Sequence, residues 1–327
     1  MKAIVQDRYG PPDVLELKDV DEPQIKQDEV LVRVQATALN AADWHLMRGD
    51  PRIARLDLGL RKPKHTILGC DVAGRVEAVG ENVTKLQPGD EVFGSPFGRG
   101  FGAFAELCAL ASEDLLERKP ANLTFEQAAT VPLAALTAVQ GLRDHGRVEP
   151  EHKVLIVGAS GGVGTFAVQI AKSFGAEVTG VCSTRNVDMV RSLGADHVID
   201  YTREDFAQAG ERYDIVFQCA GIRSPSGFRP VLEPKGTLVP ISGESDGHWV
   251  GPVGRLIQGR LLSPFVSQRI PTFTVKPNNE DLRFLRELIE AGKLAPVIDR
   301  TYSLGEVPEA IRYLEDAHAR GKIAIRV

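Results

Sequence analysis

The stretch KVLIVGASGGVGTFAVQIAKSFGAEVTGVCSTRN, residues 153–186, decides the fold. It opens with an apolar run of strand length, turns through a glycine-rich segment, continues as a helix-like segment over 162–174, and reaches a second apolar run at 177–181. Near-continuous apolar strands alternating with helices mark a parallel sheet covered on both faces. The turn between them has a further consequence: glycines let a backbone approach a phosphate, and a helix N-terminus offers unsatisfied N–H groups and a partial positive charge. Strand, turn and helix in this order suit a dinucleotide site around Ser160, Gly161, Gly162, Val163 and Gly164, a purely structural turn being the alternative. One departure stands out. Aligned to G-x-G-x-x-G, the stretch places Ala159 in the first glycine slot.

About 20 residues beyond such glycines an acid ordinarily binds the ribose 2′-hydroxyl of NAD. Here that place holds Ser183, Thr184 and Arg185. A carboxylate repels a 2′-phosphate, whereas two hydroxyls and a guanidinium donate to one, so NADPH is the expected cofactor. The alternative is that Arg185 is a solvated residue opening a helix.

Outward from the turn, residues 197–200, 213–218 and 236–241 read as further strands, with a helix over 187–193 and a weaker one after Ser224. Phe273-Thr274-Val275 offers a sixth strand. Residues 125–142, rich in Ala and Leu after a capping Thr124, read as a helix. Before them the chain breaks into short β-like runs at 3–6, 29–36, 69–80, 91–94 and 103–110, with Gly and Pro at the bends. Toward the end come helices over 281–291 and 308–320 and an alternating strand over 322–327, a tail suited to return to the first domain. The expectation is an α/β chain: a β-rich domain over 1–121, completed by 278–327, and a doubly wound cofactor domain over 122–277. Residues 243–264, with Trp249, resist assignment.

The 327 residues suffice for two domains. A net charge of −5 and the lack of a basic run disfavour nucleic-acid and membrane partners. The N-terminal sequence reads as a strand rather than a signal peptide, so a cytoplasmic protein is expected. The cysteines, Cys70, Cys108, Cys182 and Cys219, lie far apart and form no C-x-x-C pair.

Together DEVLVRV (28–34), LNAAD (39–43), LGCDVAGRV (68–76), PGDEVFG (88–94), GAFAE (102–106), the glycine turn, LGAD (193–196) and VIDY (198–201) carry a family likeness. Over essentially its full length the chain resembles the medium-chain dehydrogenase/reductase superfamily, in its zinc-independent quinone-oxidoreductase branch. The resemblance implies a GroES-like catalytic domain beside a Rossmann domain. Zinc-dependent members place a cysteine where this chain has Asn40, a His-Glu pair where it has Cys70-Asp71, and a further cysteine near Ala134 or Ala135. No metal is therefore expected. Without a Lewis acid on a carbonyl, hydride addition to a conjugated acceptor is the easier chemistry, since charge spreads onto a distant oxygen. The implied activity is NADPH-dependent reduction of an apolar quinone or α,β-unsaturated carbonyl; the alternatives are an enoyl-thioester reductase and a non-catalytic NADPH-binding module of the same fold.

The resemblance also assigns residues. Asn40, in the lost ligand slot, is a candidate oxyanion donor, and His45 a candidate proton relay; a turn or cap role for Asn40 and a packing role for His45 stand beside these. Asp43 reads as a helix cap. Ser183 and Tyr201 match positions at the adenosine phosphate end, Phe273 and Val275 a strand near the nicotinamide amide, and His318, Ala319 and Arg320 a segment near the phosphates. Tyr201 reads equally as a surface residue, and His318 and Arg320 as cations at a helix C-terminus. Residues 48–64 offer either a lid over the substrate or a plain surface insertion. By analogy at fold level, an edge around Phe273 suits a homodimer.

Overall fold

The computed structural model describes residues 1–208, 210–221, 223–241, 267–316 and 319–327. The unassigned stretch 243–264 and His318 lie outside these. The chain divides into two units, Met1–Leu136 with Lys276–Val327, and Thr137–Val275. Compared with the expected boundary after residue 121, the first unit also takes in α3 (Phe125–Ala129) and the start of α4 (Pro132–Val139). The reason is a tether within that unit, where the Leu133 N–H donates to the Asp71 carboxylate at 2.7 Å.

In the first unit β1 (Lys2–Val5) and β2 (Glu16–Asp19) pair antiparallel as a two-stranded sheet. Among the described residues the main sheet has seven strands. They are β3 (Val30–Leu39), β4 (Val72–Val79), β5 (Glu91–Gly94), β6 (Leu107–Leu110), β7 (Leu116–Arg118), β13 (Ile298–Ser303) and β14 (Lys322–Arg326), in the order β13-β14-β3-β4-β5-β7 with β6 on β3. The tail does return: β14 runs antiparallel to β3, with Ile323 opposite Leu39. That register sets Lys322 beside the end of β3, where α1 (Ala41–Arg48) begins. Val30, Val32 and Val34 bury one side of β3 against Val72, Val76 and Leu110, each such side chain contributing about 1.5–3 kcal/mol.

The helix over 279–290 (α7, Asn279–Glu290) starts where Asn278 Oδ1 accepts from the Asp281 N–H at 2.8 Å, and it buries Leu282, Leu285 and Ile289. The last helix, α8 (Val307–Glu315), turns Val307, Ala310 and Ile311 inward and stops short of the expected residue 320.

The second unit holds β8 (Lys153–Val157), β9 (Glu177–Cys182), β10 (His197–Asp200), β11 (Tyr213–Gln218) and β12 (Leu232–Pro240) in one parallel sheet, order β10-β9-β8-β11-β12. The order reverses between β8 and β11, which is the switch point of a doubly wound sheet. Helices α5 (Gly162–Ser173) and α6 (Val187–Ser192) make the first two crossovers.

Two expectations are corrected. The single helix over 125–142 is broken, because Pro132 carries no N–H and cannot continue a helix from its N-terminal side; α3 ends at Ala129, α4 starts at Pro132, and a wider π turn, Gln140–Gly146, follows. No sixth strand forms at Phe273-Thr274-Val275. Beyond an isolated bridge from Thr237 to Arg269 the described chain makes no sheet pairing there. Pro271 and Pro277 flank the segment without N–H donors. Phe273 instead stacks its ring on His145, with centroids 4.4 Å apart.

Candidate active site

The glycine turn follows β8 directly. Gly158 has φ +85°, and a Cβ on Gly164 would come within 2.1 Å of the Gly158 carbonyl oxygen, so the turn closes only without side chains at these points. Gly161, by contrast, faces space: a Cβ there would meet nothing nearer than that oxygen at 3.5 Å. It is also the N-cap of α5, with no side-chain cap and no acid in the first turn. The first N–H groups of this helix, at Gly162, Val163 and Gly164, therefore have no intrahelical acceptor. These features fit the diphosphate of a dinucleotide.

At the end of β9, Ser183 caps a short turn, Thr184–Asn186. Asn186, which sequence reasoning passed over, is buried here and donates from Nδ2 to Ser160 Oγ at 3.1 Å and to Ser183 Oγ at 3.2 Å. One amide thus joins the glycine turn to the turn expected at the 2′-phosphate. Thr184 faces another way: its hydroxyl donates to Asp200 Oδ2 at 2.5 Å. The other Asp200 oxygen accepts from the Thr202 N–H at 3.0 Å and hydroxyl at 2.7 Å, and these bonds hold its carboxyl below the usual carboxylate range. Ser183, whose hydroxyl accepts from Asn186, and exposed Arg185 are the other polar side chains at this turn. Tyr201 is anchored through its N–H to the Cys182 carbonyl at 3.1 Å and leaves its ring exposed. Val275 lies two residues past Phe273 in the unpaired segment.

In the first unit, Asn40 is the N-cap of α1, and the Asp43 carboxylate returns to its N–H at 2.8 Å, so the cap reading of Asp43 holds. The Asn40 side chain is engaged elsewhere. Its Nδ2 donates to Asp71 Oδ2 at 2.8 Å, and its Oδ1 accepts from the Lys322 ammonium at 2.5 Å. Lys322 also donates to the Leu39 carbonyl at 2.9 Å and lies 3.4 Å from Asp71 Oδ2. Asp71 is fully buried and its second oxygen caps the N-terminus of α4 through Leu133. Neither Asp71 nor Lys322 announced itself as a site residue. Asp43 is wholly buried too, and that burial pushes its pKa up to about 6, against the pull of the Cys70 thiol and the Asn40 N–H. Burial likewise drives the Cys70 thiol upward.

His45 stacks on Trp44, with ring centroids 3.7 Å apart. Its Nδ1 lies 2.9 Å from the Asp50 carbonyl oxygen, which requires the proton on Nδ1 and leaves Nε2 as an acceptor. Nε2 is buried and has no hydrogen-bond partner among the described residues, and burial lowers the ring's pKa. The imidazole is thus held neutral, with Nε2 as a hydrogen-bond acceptor.

The segment 48–64 is tied to its own unit: Arg48 pairs with Glu315, Arg55 donates to the Arg48 and Gly49 carbonyls, and Tyr9 donates to that of Gly59. Ile53, Leu56 and Leu60 stand exposed on it. Ala319 and Arg320 lie in the first unit immediately before β14, Ala319 packing partly against the core around Ile311 and Ile323.

A glycine turn fitted to a dinucleotide and a separate β-rich unit with a buried polar cluster define a two-domain, nicotinamide-dependent oxidoreductase. The comparisons agree. Residues 26–121 match the alcohol dehydrogenase GroES-like domain, and residues 193–325 match a family described as zinc-binding dehydrogenase. The chain is 36% identical to a chloroplastic quinone-oxidoreductase of Triphysaria versicolor, covering 99% of this chain and 98% of that one. It is 36% identical to a chloroplastic NADPH-dependent alkenal/one oxidoreductase of Arabidopsis thaliana, covering 99% of this chain and 79% of that one. A quinone oxidoreductase structure from Coxiella burnetii superposes with a TM-score of 0.86 at 32% identity, covering 100% of this chain and 99% of that one. The chain belongs to the medium-chain dehydrogenase/reductase superfamily, in its quinone-oxidoreductase-like branch.

The zinc in one family description finds no fitting donor set here. The ligand slots hold an amide, a thiol held protonated by burial and a carboxylate already paired with an ammonium, with Ala134 and Ala135 at the third position. Among the described residues no three His, Cys, Asp or Glu side chains gather as a metal site.

Proposed function

We propose that this protein is a zinc-free, NADPH-dependent reductase of quinones or α,β-unsaturated carbonyls. The observation that carries the acceptor class is the Lys322 ammonium hydrogen-bonded to Asn40 and paired with Asp71, where zinc-dependent members of the superfamily keep ligands. A site with a cation already fixed among its donors has no Lewis acid to place on a simple ketone. What it offers is a hydrogen-bond donor for an oxygen that gains charge at a distance.

Bound NADPH supplies the hydride. On this reading the glycine turn and the N-terminus of α5 bind the diphosphate, Ser183 and Arg185 bind the 2′-phosphate, and Asn186 keeps the two turns in register. Asn40 Nδ2 donates to the acceptor oxygen, and the proton that completes the reduction comes from solvent, with His45 Nε2 placed to relay it. Residues 48–64, with three exposed apolar side chains, would cover an apolar substrate. The reading includes a cytoplasmic homodimer associating through the unpaired segment near Phe273; a single monomeric species by sedimentation velocity would count against the dimer.

The test is NADPH oxidation across quinones, enones and enoyl thioesters. Turnover confined to quinones and enones supports the proposal. Turnover confined to thioesters would replace it with the enoyl-thioester reading, and tight NADPH binding with no turnover would leave a binding module.

A further inference from the structure

We propose that Lys322 is a positioning residue that fixes and polarises the Asn40 amide, its ammonium serving as the permanent positive charge of a site in which related enzymes use a metal. The inference deepens the proposed function and rests on the oxyanion role given there to Asn40.

The geometry begins with hydrogen count. An ammonium has three protons and no lone pair. Lys322 Nζ has three acceptors: Leu39 O at 2.9 Å, Asn40 Oδ1 at 2.5 Å and Asp71 Oδ2 at 3.4 Å. Its side chain is 3% exposed, and that of Asp71 is 0% exposed. A lysine is almost never so deeply buried unless paired.

This partnership decides which way the Asn40 amide points. An amide ordinarily can be turned over without visible change. Here one end meets a group that only donates and the other a carboxylate that only accepts, so Oδ1 must face Lys322 and Nδ2 must face Asp71. Asn40 Nδ2 carries two protons, and Asp71 is its one acceptor among the described residues. The second N–H is the free donor that the proposed chemistry uses.

A cation on the amide oxygen also draws electron density from the nitrogen. Hydrogen bonds chained this way strengthen one another, and charge-assisted ones most. The second Asn40 N–H is therefore a better donor to a developing oxyanion than an amide alone. The charge matters as well. Asp71 and Asp43 are both buried nearby, and without the ammonium their carboxylates would oppose negative charge on a substrate oxygen.

The test compares Lys322→Met, Asn40→Ala, their combination, and Lys322→Met with Asp71→Asn. The last variant removes both buried charges together, so neither is left alone in the interior. Expected for Lys322→Met and for Lys322→Met/Asp71→Asn is a fall in kcat of about 10- to 100-fold with KM for NADPH within about twofold. Asn40→Ala should fall similarly, and adding it to Lys322→Met should cost little more, because both act through one donor. Losses that multiply would overturn the proposal. So would a folded Lys322→Met/Asp71→Asn variant with full kcat while Asn40→Ala is impaired. Full kcat in Asn40→Ala would instead remove the oxyanion role itself, and the proposal with it.

Discussion

The Thr184 hydroxyl donates to the Asp200 carboxylate at 2.5 Å, so a side chain that reads in the sequence as a phosphate donor is spent within the protein. Thr184 and Asp200 sit at the ends of neighbouring parallel strands, and their bond braces the turn that carries Ser183 and Arg185. On the proposed NADPH reading, the 2′-phosphate contact falls to Ser183 and Arg185. Arg185→Ala should raise KM for NADPH about tenfold while leaving KM for NADH nearly unchanged, since a hydrogen bond to a charged group contributes roughly 1.5–3 kcal/mol. Thr184→Val should shift the same ratio by less than about threefold. Steady-state kinetics with both cofactors measures the two effects, and a larger effect at Thr184 would reverse the assignment.

Asn186 bridges Ser160 and Ser183 from a buried position. Two neutral hydrogen bonds of about 0.5–1.5 kcal/mol each are lost in Asn186→Ala. The variant should bind NADPH about 5- to 150-fold more weakly, with kcat within about twofold once saturated. Isothermal titration with NADPH and with 2′,5′-ADP checks it. Weakening for neither ligand would mean that the bridge does not shape the site.

Asp43 gives the site a pH signature. Its folded pKa, about 6, lies above the ordinary value of 3.8, so between these values the folded state holds the proton that the unfolded state has released. Stability from this group is present below 3.8 and lost as pH rises through about 6. A shift of this size corresponds to about 3 kcal/mol. Asp43→Asn should thus gain stability relative to the parent as pH rises from 4 to 7.5, by up to about 3 kcal/mol. Denaturant unfolding at a series of pH values measures the difference. A flat difference across the range would mean that folding does not raise the Asp43 pKa.

The cofactor unit was legible because its five strands are apolar runs separated by glycine turns, and a parallel sheet buried on both faces needs that pattern. β2, β7 and β13 were not, because ELKD, LER and IDRTYS mix charge into short edge strands whose exposure leaves no apolar alternation. Pro132 carried a readable break signal within an Ala- and Leu-rich run that otherwise favours helix. In the candidate site, Asn40 and the glycine turn were visible from their motifs. Lys322 was hidden, since a lysine in a terminal strand reads as a surface residue and its partners Asn40 and Asp71 lie 282 and 251 positions away. Asn186 had a weak signal, an asparagine closing the turn after Ser183, and only the fold brings Ser160 to it.

Metal-free reduction of conjugated acceptors is measured as kcat/KM with NADPH for one enone and for the corresponding saturated ketone, on protein dialysed against a strong chelator and assayed for zinc. Full enone activity is expected with zinc far below one ion per chain, and no measurable turnover of the saturated ketone. Activity that disappears on chelation and returns with zinc, or a saturated ketone reduced as readily as the enone, would contradict it.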